Sequence, residues 1–363
     1  MAERCDHFLL KADIAEADHR LRELRTGDAT DPPPEPAALA RAIARATGVE
    51  VTGVEPHPLR GTFRWVVFAS LADGRRVVAR VNRLDHPALA DGLVLEERLA
   101  AHLRPLGIPA PAVLAVDVSG AVLPAGFAVQ ERLEGATLGA RDGDEPAVMA
   151  GLRSLGGTLR RLHAVELPGA GPLAAPLGDA PPSEPGLRGG FATWSDYLRC
   201  RLDDHVAACV RAGSLDTAGA HRVLRLMAEL DAVAKGGGGR GGAADRLLHG
   251  DPAGPNVILR ADGTVGGLVD WEDALVGEPL FELASCACFH PERRWAALFE
   301  GYLGAPALPA PDRRRFRLYV LRIALARTVV RERFAIADAP GHAPAADRVR
   351  RALQALESKE GAA

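Results

Sequence analysis

The sequence predicts an α+β fold with two lobes, a small antiparallel sheet followed by a larger and mostly helical part. Alternating apolar residues on either side of Asp73-Gly74, in Phe63–Leu71 and Arg76–Asn82, predict a β-hairpin. Beyond Gly135 the apolar residues recur every three or four positions, which is the period of a helix. A chain of 363 residues is long enough for two such units.

The small lobe is expected to follow an N-terminal extension. Residues 1–36 contain a candidate helix near 8–25 and a proline cluster that is typical of a linker. Residues 37–133 would then form the small lobe, beginning with a helix that Gly48 ends. Its predicted elements are helices at Ala37–Thr47 and Ala88–Arg104, and strands at Phe63–Leu71, Arg76–Asn82, Ala112–Val118 and Phe127–Leu133.

The second lobe, residues 134–363, is predicted to be helical apart from one late group of strands. Apolar residues from Val148 to Leu162 form a single helical stripe. The Pro- and Gly-rich segment Leu167–Gly190 is predicted to be a loop. Further helices are expected at Trp194–Ala212, Thr217–Ala234, Trp295–Tyr302, Asp312–Ile336 and Asp347–Ser358, and short strands at Leu247–His249, Val257–Arg260 and Thr264–Asp270.

The composition excludes several classes of function. With 44 Lys and Arg against 47 Asp and Glu, the formal charge is −3, so no basic field recruits nucleic acid or a membrane surface. No apolar run approaches the roughly 18 residues of a membrane span, and the acids near the start are unlike a secretory signal. The 5 cysteines lack zinc-type C-x-x-C pairs, which favours reduced thiols and a cytoplasmic location.

Lysine is almost absent. Only Lys11, Lys235 and Lys359 occur, and none stands in a G-x-x-x-x-G-K-[ST] frame, which excludes a Walker-type phosphate loop. A G-x-G-x-x-G pattern does begin at Gly236, but no strand precedes it. We interpret that tract as a flexible linker.

Three polar residues in the late strand region form the candidate site. Asp251 and Asn256 are five positions apart in one loop, and Asp270 ends the second strand of a hairpin. Carboxylate and amide oxygens are the ligands that Mg²⁺ prefers, and such an ion accompanies nucleotide phosphates. Asp251 could then accept a proton from an attacking hydroxyl group.

The register of that hairpin decides whether the two metal candidates meet. A two-residue turn at Asp262-Gly263 places Asn256 opposite Val269. A one-residue bulge at Gly266-Gly267 instead places Asn256 opposite Asp270, on the same face.

The order His249-x-Asp251-x4-Asn256, followed by Asp270-Trp-Glu, resembles the catalytic and metal segments of protein-kinase-like small-molecule kinases. Within that group the chain is most similar to the aminoglycoside phosphotransferase and choline kinase-like families. The resemblance covers about residues 50–335 and implies a two-lobed protein-kinase-like fold. Flanking segments agree with it, namely Leu162-His163-Ala164, Phe127–Gly135 and Gly277–Leu283.

The resemblance also implies a role for each residue. Asp251 would be the catalytic base or would orient the substrate hydroxyl, Asn256 and Asp270 would bind Mg²⁺, and His249 would be structural. The nucleotide would be ATP, with GTP left open, and its adenine would bind the main chain between the lobes. The residues expected there are Gln130, Glu131 and Leu133.

Two departures from the family pattern concern the phosphates. The family's lysine on the third strand is Arg80 here, expected opposite Val67 and paired with either Glu96 or Glu97. The glycine loop is also weak, because residues 59–63 contain a single glycine.

Other charged residues carry alternative interpretations. Arginines at 313–317, and Arg322, Arg327, Arg331 and Arg333, are expected on solvated helix faces, or alternatively in contact with an anionic substrate. His163 is expected to pack or to cap its helix. A negative wall for a cationic substrate could be formed by Glu272, Asp273, Glu278 and Glu282.

The sequence therefore predicts an ATP-dependent phosphotransferase, active as a monomer or homodimer, acting on a hydroxyl of a small molecule. The leading acceptor class, by family resemblance, is an aminoglycoside-like or other antibiotic, which gives a resistance or self-protection role. One alternative is a metabolic kinase for choline, an amino alcohol or a sugar, although Trp194 and Trp271 alone make a poor choline cage. Another is a nucleotide-binding pseudokinase, which Arg80 and the weak glycine loop would suggest.

Overall fold

The protein is described by a computed structural model over residues 33–56, 61, 63–174, 186–236, 245–333 and 345–357. Its strands are β1 Val51–Pro56, β2 Arg64–Leu71, β3 Arg76–Asn82, β4 Val113–Asp117, β5 Phe127–Glu131, β6 Ala136–Thr137, β7 Ala170–Ala174, β8 Arg188–Phe191, β9 Arg246–Leu248, β10 Val257–Leu259, β11 Val265–Leu268 and β12 Leu275–Gly277. Its helices are α1 Pro36–Thr47, α2 Pro87–Leu103, α3 Glu145–Leu162, α4 Trp194–Arg199, α5 Leu202–Arg211, α6 Thr217–Gly236, α7 Pro279–Ala287, α8 Trp295–Leu303, α9 Ala310–Arg333 and α10 Ala345–Glu357.

The small lobe is built on a five-stranded antiparallel sheet in the order β1-β2-β3-β5-β4. Alternate residues of β3, Val77, Ala79 and Val81, face a core that also takes in Leu39 and Ile43 of α1. The intervening positions of β3 face the other side of the sheet, because successive side chains of a strand alternate. The alternation predicted for Arg80 is therefore confirmed.

The register of the first hairpin differs from the prediction by one residue. Arg80 lies opposite Val66, not Val67, because the loop holds three residues rather than two. Asp73 accepts a hydrogen bond from the main-chain nitrogen of Arg75 at 3.0 Å, and Gly74 takes a φ of +84°. This geometry is a turn followed by one left-handed residue, the usual form of a three-residue hairpin loop.

The same turn chemistry recurs in the late hairpin. Asp262 accepts a hydrogen bond from the main-chain nitrogen of Thr264 at 2.9 Å, and Gly263 takes a φ of +80°. The predicted bulge is present, since the register shifts between Ile258 and Leu259. The three-residue loop shifts the strand register by one residue, and the bulge shifts it back by one. The main-chain nitrogen of Val269 therefore donates to the carbonyl of Asn256, at 3.0 Å. Of the two registers considered, the one with Asn256 opposite Val269 is present, and the pairing with Asp270 that the bulge predicted is wrong.

The larger lobe surrounds a separate apolar core, to which α3 contributes the stripe predicted from its spacing. Its strands form two further sheets, ordered β11-β10-β6 and β8-β7-β12-β9. The second sheet includes two strands in the segment 167–190 that was predicted to be a loop. β7 contains Gly171 and Pro172 and β8 contains Gly189 and Gly190, residues that are depleted in strands, so propensity does not predict either strand.

The helix predicted at Trp194–Ala212 is broken into α4 and α5. Arg201 interrupts it with a φ of +56°, and the guanidinium of Arg322 donates to the freed carbonyls of Leu198 and Cys200 at 2.9 and 2.8 Å. Arg322 is fully buried. The expectation that this arginine lies on a solvated face is wrong, because the broken helix supplies main-chain acceptors for it.

Some predictions lie outside the described residues. These are the helix near 8–25, most of the segment 59–63, the glycine tract after Gly236 and the end of the helix predicted to reach Ile336. Within the described ranges, no helix combines the length and apolarity needed to cross a membrane.

Candidate active site

The loop between β9 and β10 places Asp251 beside the end of the late hairpin. Gly250 takes a φ of +87°, and a Cβ atom there would lie 1.8 Å from the carbonyl oxygen of Asp273. Only glycine permits this approach. Its main-chain nitrogen donates at 2.7 Å to Glu282, which lies on α7 and is buried. The position of Gly250, and with it the start of Asp251, is therefore set by the close contact with Asp273 and by the hydrogen bond to Glu282.

Asn256 is held by Asp251. Its amide nitrogen Nδ2 donates to the main-chain oxygen of Asp251 at 2.9 Å and to the carboxylate oxygen Oδ2 at 3.2 Å. The carboxylate of Asp251 is 28% exposed. Because both protons of Nδ2 point to Asp251, the Oδ1 atom of Asn256 remains available to a cation.

His249 supports the loop, as expected, and its tautomer follows from its partners. Nε2 donates to the carbonyl of Val269 at 3.1 Å, so Nδ1 accepts from the main-chain nitrogen of Asp251, which is 3.4 Å away. Burial lowers the pKa of His249, although nearby carboxylates oppose that shift. Its ring also packs against Trp271 at 4.4 Å between centroids. The neutral imidazole thus joins the loop to the hairpin.

Asp270 follows β11 in a left-handed conformation, with a φ of +66°. Aspartate is one of the few residues other than glycine that adopt this conformation at low cost. Here the next residue, Trp271, is buried and donates from its indole nitrogen to the carbonyl of Leu268 at 2.9 Å. The turn directs the carboxylate of Asp270 toward β3 of the small lobe.

Arg80 joins the two lobes. One terminal nitrogen, Nη1, forms an ion pair with Glu96 of α2, and the other, Nη2, lies 2.5 Å from Oδ1 of Asp270. Burial alone would lower the pKa of Arg80, but the two carboxylates raise it above its ordinary value. Arg80 therefore stays charged, because its two carboxylate partners compensate for the burial of the charge.

Arg64 repeats this arrangement one strand away. Its Nη1 atom lies 2.5 Å from Glu272 and 3.4 Å from Glu96. Space for it comes from Gly92, one helical turn before Glu96, because a Cβ there would lie 2.6 Å from Nη2 of Arg64. Arg80 and Arg64 of the small lobe thus share Glu96. Each also binds one acid of the larger lobe, Asp270 for Arg80 and Glu272 for Arg64.

Glu96 is thereby identified as the partner of Arg80, and Glu97 is the half-buried neighbour. Replacing Glu96 by Ala leaves two buried guanidinium groups with one carboxylate each, so we expect the free energy of unfolding to fall by about 3 kcal/mol. The matched variant Glu97→Ala should lose less than about 1 kcal/mol. Thermal and urea unfolding measure both, and equal losses would contradict this assignment.

The segment between the lobes lies against the hairpin. Gln130 pairs with Val78 in the sheet and is buried, while the carboxylate of Glu131 accepts from Arg104 at 3.1 Å. The side chain of Leu133 covers Gly267, where a Cβ would lie 2.1 Å from its Cδ1 atom. The segment expected to receive adenine thus contacts the hairpin that ends in Asp270 through Leu133.

The four acids proposed as a negative wall all have partners inside the protein. Glu282 accepts from His163 at 2.8 Å as well as from Gly250, so His163 supports the loop that carries Asp251 in addition to ending its helix. Glu278 is buried beside Tyr319, and Asp273 is 2% exposed. With Glu272 bound to Arg64, none of these acids offers a free negative surface in the described part of the chain.

Two residues near the site were not singled out by their position in the sequence. Arg64 stands at the start of a strand, and only the glycine in the facing helix hints at a reaching side chain. Arg327, grouped with solvated arginines, is half-buried, and its Nη2 atom lies 3.4 Å from Oδ1 of Asp251. Helical spacing cannot show which arginine of a row faces the loop that carries Asp251.

Comparison with known proteins agrees with this geometry. Residues 54–319 match the phosphotransferase enzyme family. Hygromycin-B 4-O-kinase of Escherichia coli is 26% identical over 257 residues, which cover 69% of this chain and 67% of that protein.

Solved structures show the same fold. A thermostable mutant of aminoglycoside phosphotransferase APH(4)-Ia, in a ternary complex with ADP and hygromycin B, superposes with a TM-score of 0.61 at 21% identity, covering 89% of this chain and 100% of that one. Macrolide 2'-phosphotransferase MphH from Brachybacterium faecium gives 0.54 at 18% identity, covering 87% and 97%. The family match extends over most of the chain and includes Arg80, Glu96, Asp251 and Asp270. This chain therefore belongs to the phosphotransferase enzyme family and is a small-molecule kinase with the two-lobed α+β kinase fold.

Proposed function

We propose that the protein transfers the γ-phosphoryl group of Mg-ATP to a hydroxyl group of a small molecule, with Asp251 as the catalytic carboxylate. The observation that supports this most directly is the arrangement at the junction of the lobes. Asp251 and Asn256 are bonded to each other in one loop, and Asp270 is bonded to Arg80 at the end of the adjoining hairpin. Phosphoryl transfer depends mainly on positioning and charge, and these residues supply both.

In the proposed reaction the acceptor oxygen forms a bond to the γ-phosphorus as the bond from that phosphorus to the bridging oxygen of ADP breaks. Asp251 orients the hydroxyl and takes its proton. Its second carboxylate oxygen is held by Asn256, which fixes the orientation of the group. The carboxylate remains 28% exposed, as a group that meets a substrate requires.

The donor set fits a magnesium ion held by Asn256 and Asp270. The Oδ1 atom of Asn256 and the Oδ2 atom of Asp270 are hard oxygen donors left over from the bonds to Asp251 and Arg80. Carboxylate oxygens of Glu96, Asp270 and Glu272 also lie within 4.8 Å of one another. Each of these acids contacts an arginine, but Asp270 has the most exposed side chain, 37% against 19% for Glu272 and 6% for Glu96, so we assign only Asp270 to the metal. The ion would shield charge on the phosphate oxygens.

The nucleotide is assigned to the small lobe, residues 37–133, and catalysis to residues 134–363. Arg80 would contact the phosphates, and the main chain of Gln130, Glu131 and Leu133 would meet the adenine. The pseudokinase alternative is weakened because Arg80 keeps a carboxylate partner on α2 and a second one at Asp270. The substitution of the family's lysine thus preserves the pairing that a catalytic site needs.

For the acceptor we propose an antibiotic-type molecule, supported by the similarity to the hygromycin-B kinase. The test is a panel of hydroxyl compounds incubated with Mg-ATP and read by mass spectrometry. Hygromycin B, macrolides, choline and simple sugars belong in the panel. We expect one added phosphoryl group on an antibiotic with wild-type enzyme, and product formation at least a hundredfold slower with Asp251→Asn. Phosphorylation only of choline or a sugar would replace the antibiotic assignment, and no phosphorylation of any compound would contradict the function.

A further inference from the structure

Arg64 is buried at the junction of the two lobes, where its guanidinium group has three polar partners among the described residues. Its Nε atom donates at 3.2 Å to Oδ1 of Asn82, which lies opposite Arg64 in the pairing of β2 with β3. Its Nη1 atom lies 3.4 Å from Glu96 of α2 and 2.5 Å from Glu272, two residues beyond Asp270. One side chain thus joins two elements of the small lobe to the turn of the larger lobe that carries Asp270.

The helix α2 accommodates this side chain. Gly92 leaves room for Nη2 of Arg64, since a Cβ atom there would lie 2.6 Å from it. One helical turn later Glu96 provides an acceptor, and α2 also packs against the turn Trp271–Asp273. A buried guanidinium group is stable only when its nitrogens are bonded and its charge is balanced. Arg64 therefore fixes the start of β2 relative to that turn.

Two ion pairs of the described residues connect the lobes here, and they differ in what else their members do. In the proposed function Arg80 contacts the phosphates and Asp270 binds the magnesium ion, so this pair shares its charges with ligands. Neither Arg64 nor Glu272 is assigned to a ligand, and the side chain of Glu272 is less exposed than that of Asp270. The pair of Arg64 with Glu272 can therefore persist while Mg-ATP occupies the site.

We propose that Arg64 is a positioning residue for Mg-ATP. Through Glu96 and Glu272 it holds the two lobes at one separation. That separation allows Arg80 and Asp270 to engage the same Mg-ATP. The inference rests on the proposed function, because it takes the phosphates to Arg80 and the ion to Asp270.

The expected consequence is a loss of preorganisation when Arg64 is replaced. The lobes would then have to be brought together at the expense of the binding energy of the nucleotide. Apparent affinity falls in proportion to the fraction of molecules that already have the binding-competent arrangement. A ligand that contacts a single lobe does not need this arrangement and should be little affected.

The test therefore compares Mg-ATP with adenosine. Mg-ATP contacts both lobes in the proposed site, whereas adenosine lacks the phosphates and needs only the main chain near Gln130. We expect Arg64→Met to weaken Mg-ATP at least tenfold and adenosine less than twofold. Equilibrium dialysis with radiolabelled ligands measures both affinities, and the KM for ATP should rise by the same factor as the Mg-ATP affinity falls.

The matched control is Arg76→Met. Arg76 lies on β3, as part of the same sheet, and forms an ion pair with Glu134 at 3.2 Å. Both of these side chains are exposed, so the pair should contribute little. Neither ligand should bind differently to this variant.

A double variant tests whether Arg64 acts through Glu272. Glu272→Gln should weaken Mg-ATP at least fivefold while its binding still depends on magnesium. Adding Glu272→Gln to Arg64→Met should change the affinity of that variant less than twofold, because the pair is already lost. Arg64→Lys keeps the charge without the fork and should recover part of the affinity. Glu272→Gln leaves Arg64 and Glu96 in place, so it tests the same link should Arg64→Met not fold.

Three results would overturn the proposal. Unchanged affinity for Mg-ATP would remove Arg64 from nucleotide binding, and an equal loss for Mg-ATP and adenosine would leave it a purely structural role. Additive losses in the double variant would exclude the pair with Glu272 as the route.

The proposed function fails in a different way. If Arg64→Met weakens Mg-ATP selectively and no hydroxyl compound is phosphorylated, the function is wrong and the role of Arg64 stands. If an acceptor is phosphorylated and Arg64→Met binds Mg-ATP like the wild type, only the role of Arg64 is wrong.

Discussion

Asp251→Asn is expected to lower turnover by at least a hundredfold, within the range of about 10²–10⁴ for loss of a general base. Asparagine preserves the shape of the side chain and can still accept a hydrogen bond from Asn256. It cannot take a proton, and it loses the charge that faces Arg327 at 3.4 Å. Affinity for Mg-ATP should change little, since Asp251 is not assigned to the metal. Steady-state kinetics and calorimetric nucleotide titration measure the two quantities separately.

The control for this experiment is Asp262→Asn in the turn of the hairpin. Asp262 lies in the turn between β10 and β11, and among the described residues its carboxylate hydrogen-bonds only with Thr264. Its turnover should match that of the wild type. Near-normal turnover in Asp251→Asn would remove Asp251 from the proposed mechanism.

Asp270→Ala should abolish the magnesium dependence of nucleotide binding. The wild type should bind ATP much more tightly with Mg²⁺ than with a chelator, and the variant should bind it equally weakly in both. We expect a loss of at least a hundredfold in affinity for Mg-ATP, about 3 kcal/mol. Arg80 retains Glu96 in the variant, so the small lobe should stay folded. Calorimetric titration with and without Mg²⁺ measures the effect.

Glu272→Ala is the informative comparison. Glu272 belongs to the same group of close acids as Asp270, but its side chain is 19% exposed against 37% for Asp270. The magnesium dependence should therefore survive this substitution. If Glu272→Ala removed it and Asp270→Ala did not, the metal assignment would have to move to the other acid.

The order of elements and the catalytic segment could be predicted because they depend on local patterns. Apolar spacing located α3, and alternation placed Arg80 away from the core. The sequence could not decide between Glu96 and Glu97. Adjacent residues on a helix point about 100° apart, and which of them faces the sheet depends on how α2 packs in the folded protein.

The registers of the two hairpins could not be predicted from the Asp-Gly pairs alone. In both, the aspartate of the Asp-Gly pair bonds to a main-chain nitrogen two residues on, and this lengthens the loop by one residue. The burial of Arg322 could not be predicted from local sequence either. Its partners are carbonyls of a broken helix more than a hundred residues earlier, and no sequence pattern marks them.

The forked guanidinium group of Arg80 explains why an arginine, rather than a lysine, suits this position. Its two terminal nitrogens engage acids on different elements, Glu96 through Nη1 and Asp270 through Nη2. A lysine ammonium is a single point on a flexible stem and cannot span both acids with the same planar geometry. Arginine at residue 80 therefore links α2 to the turn at Asp270 through one planar group, and replacement by lysine would not preserve both ion pairs.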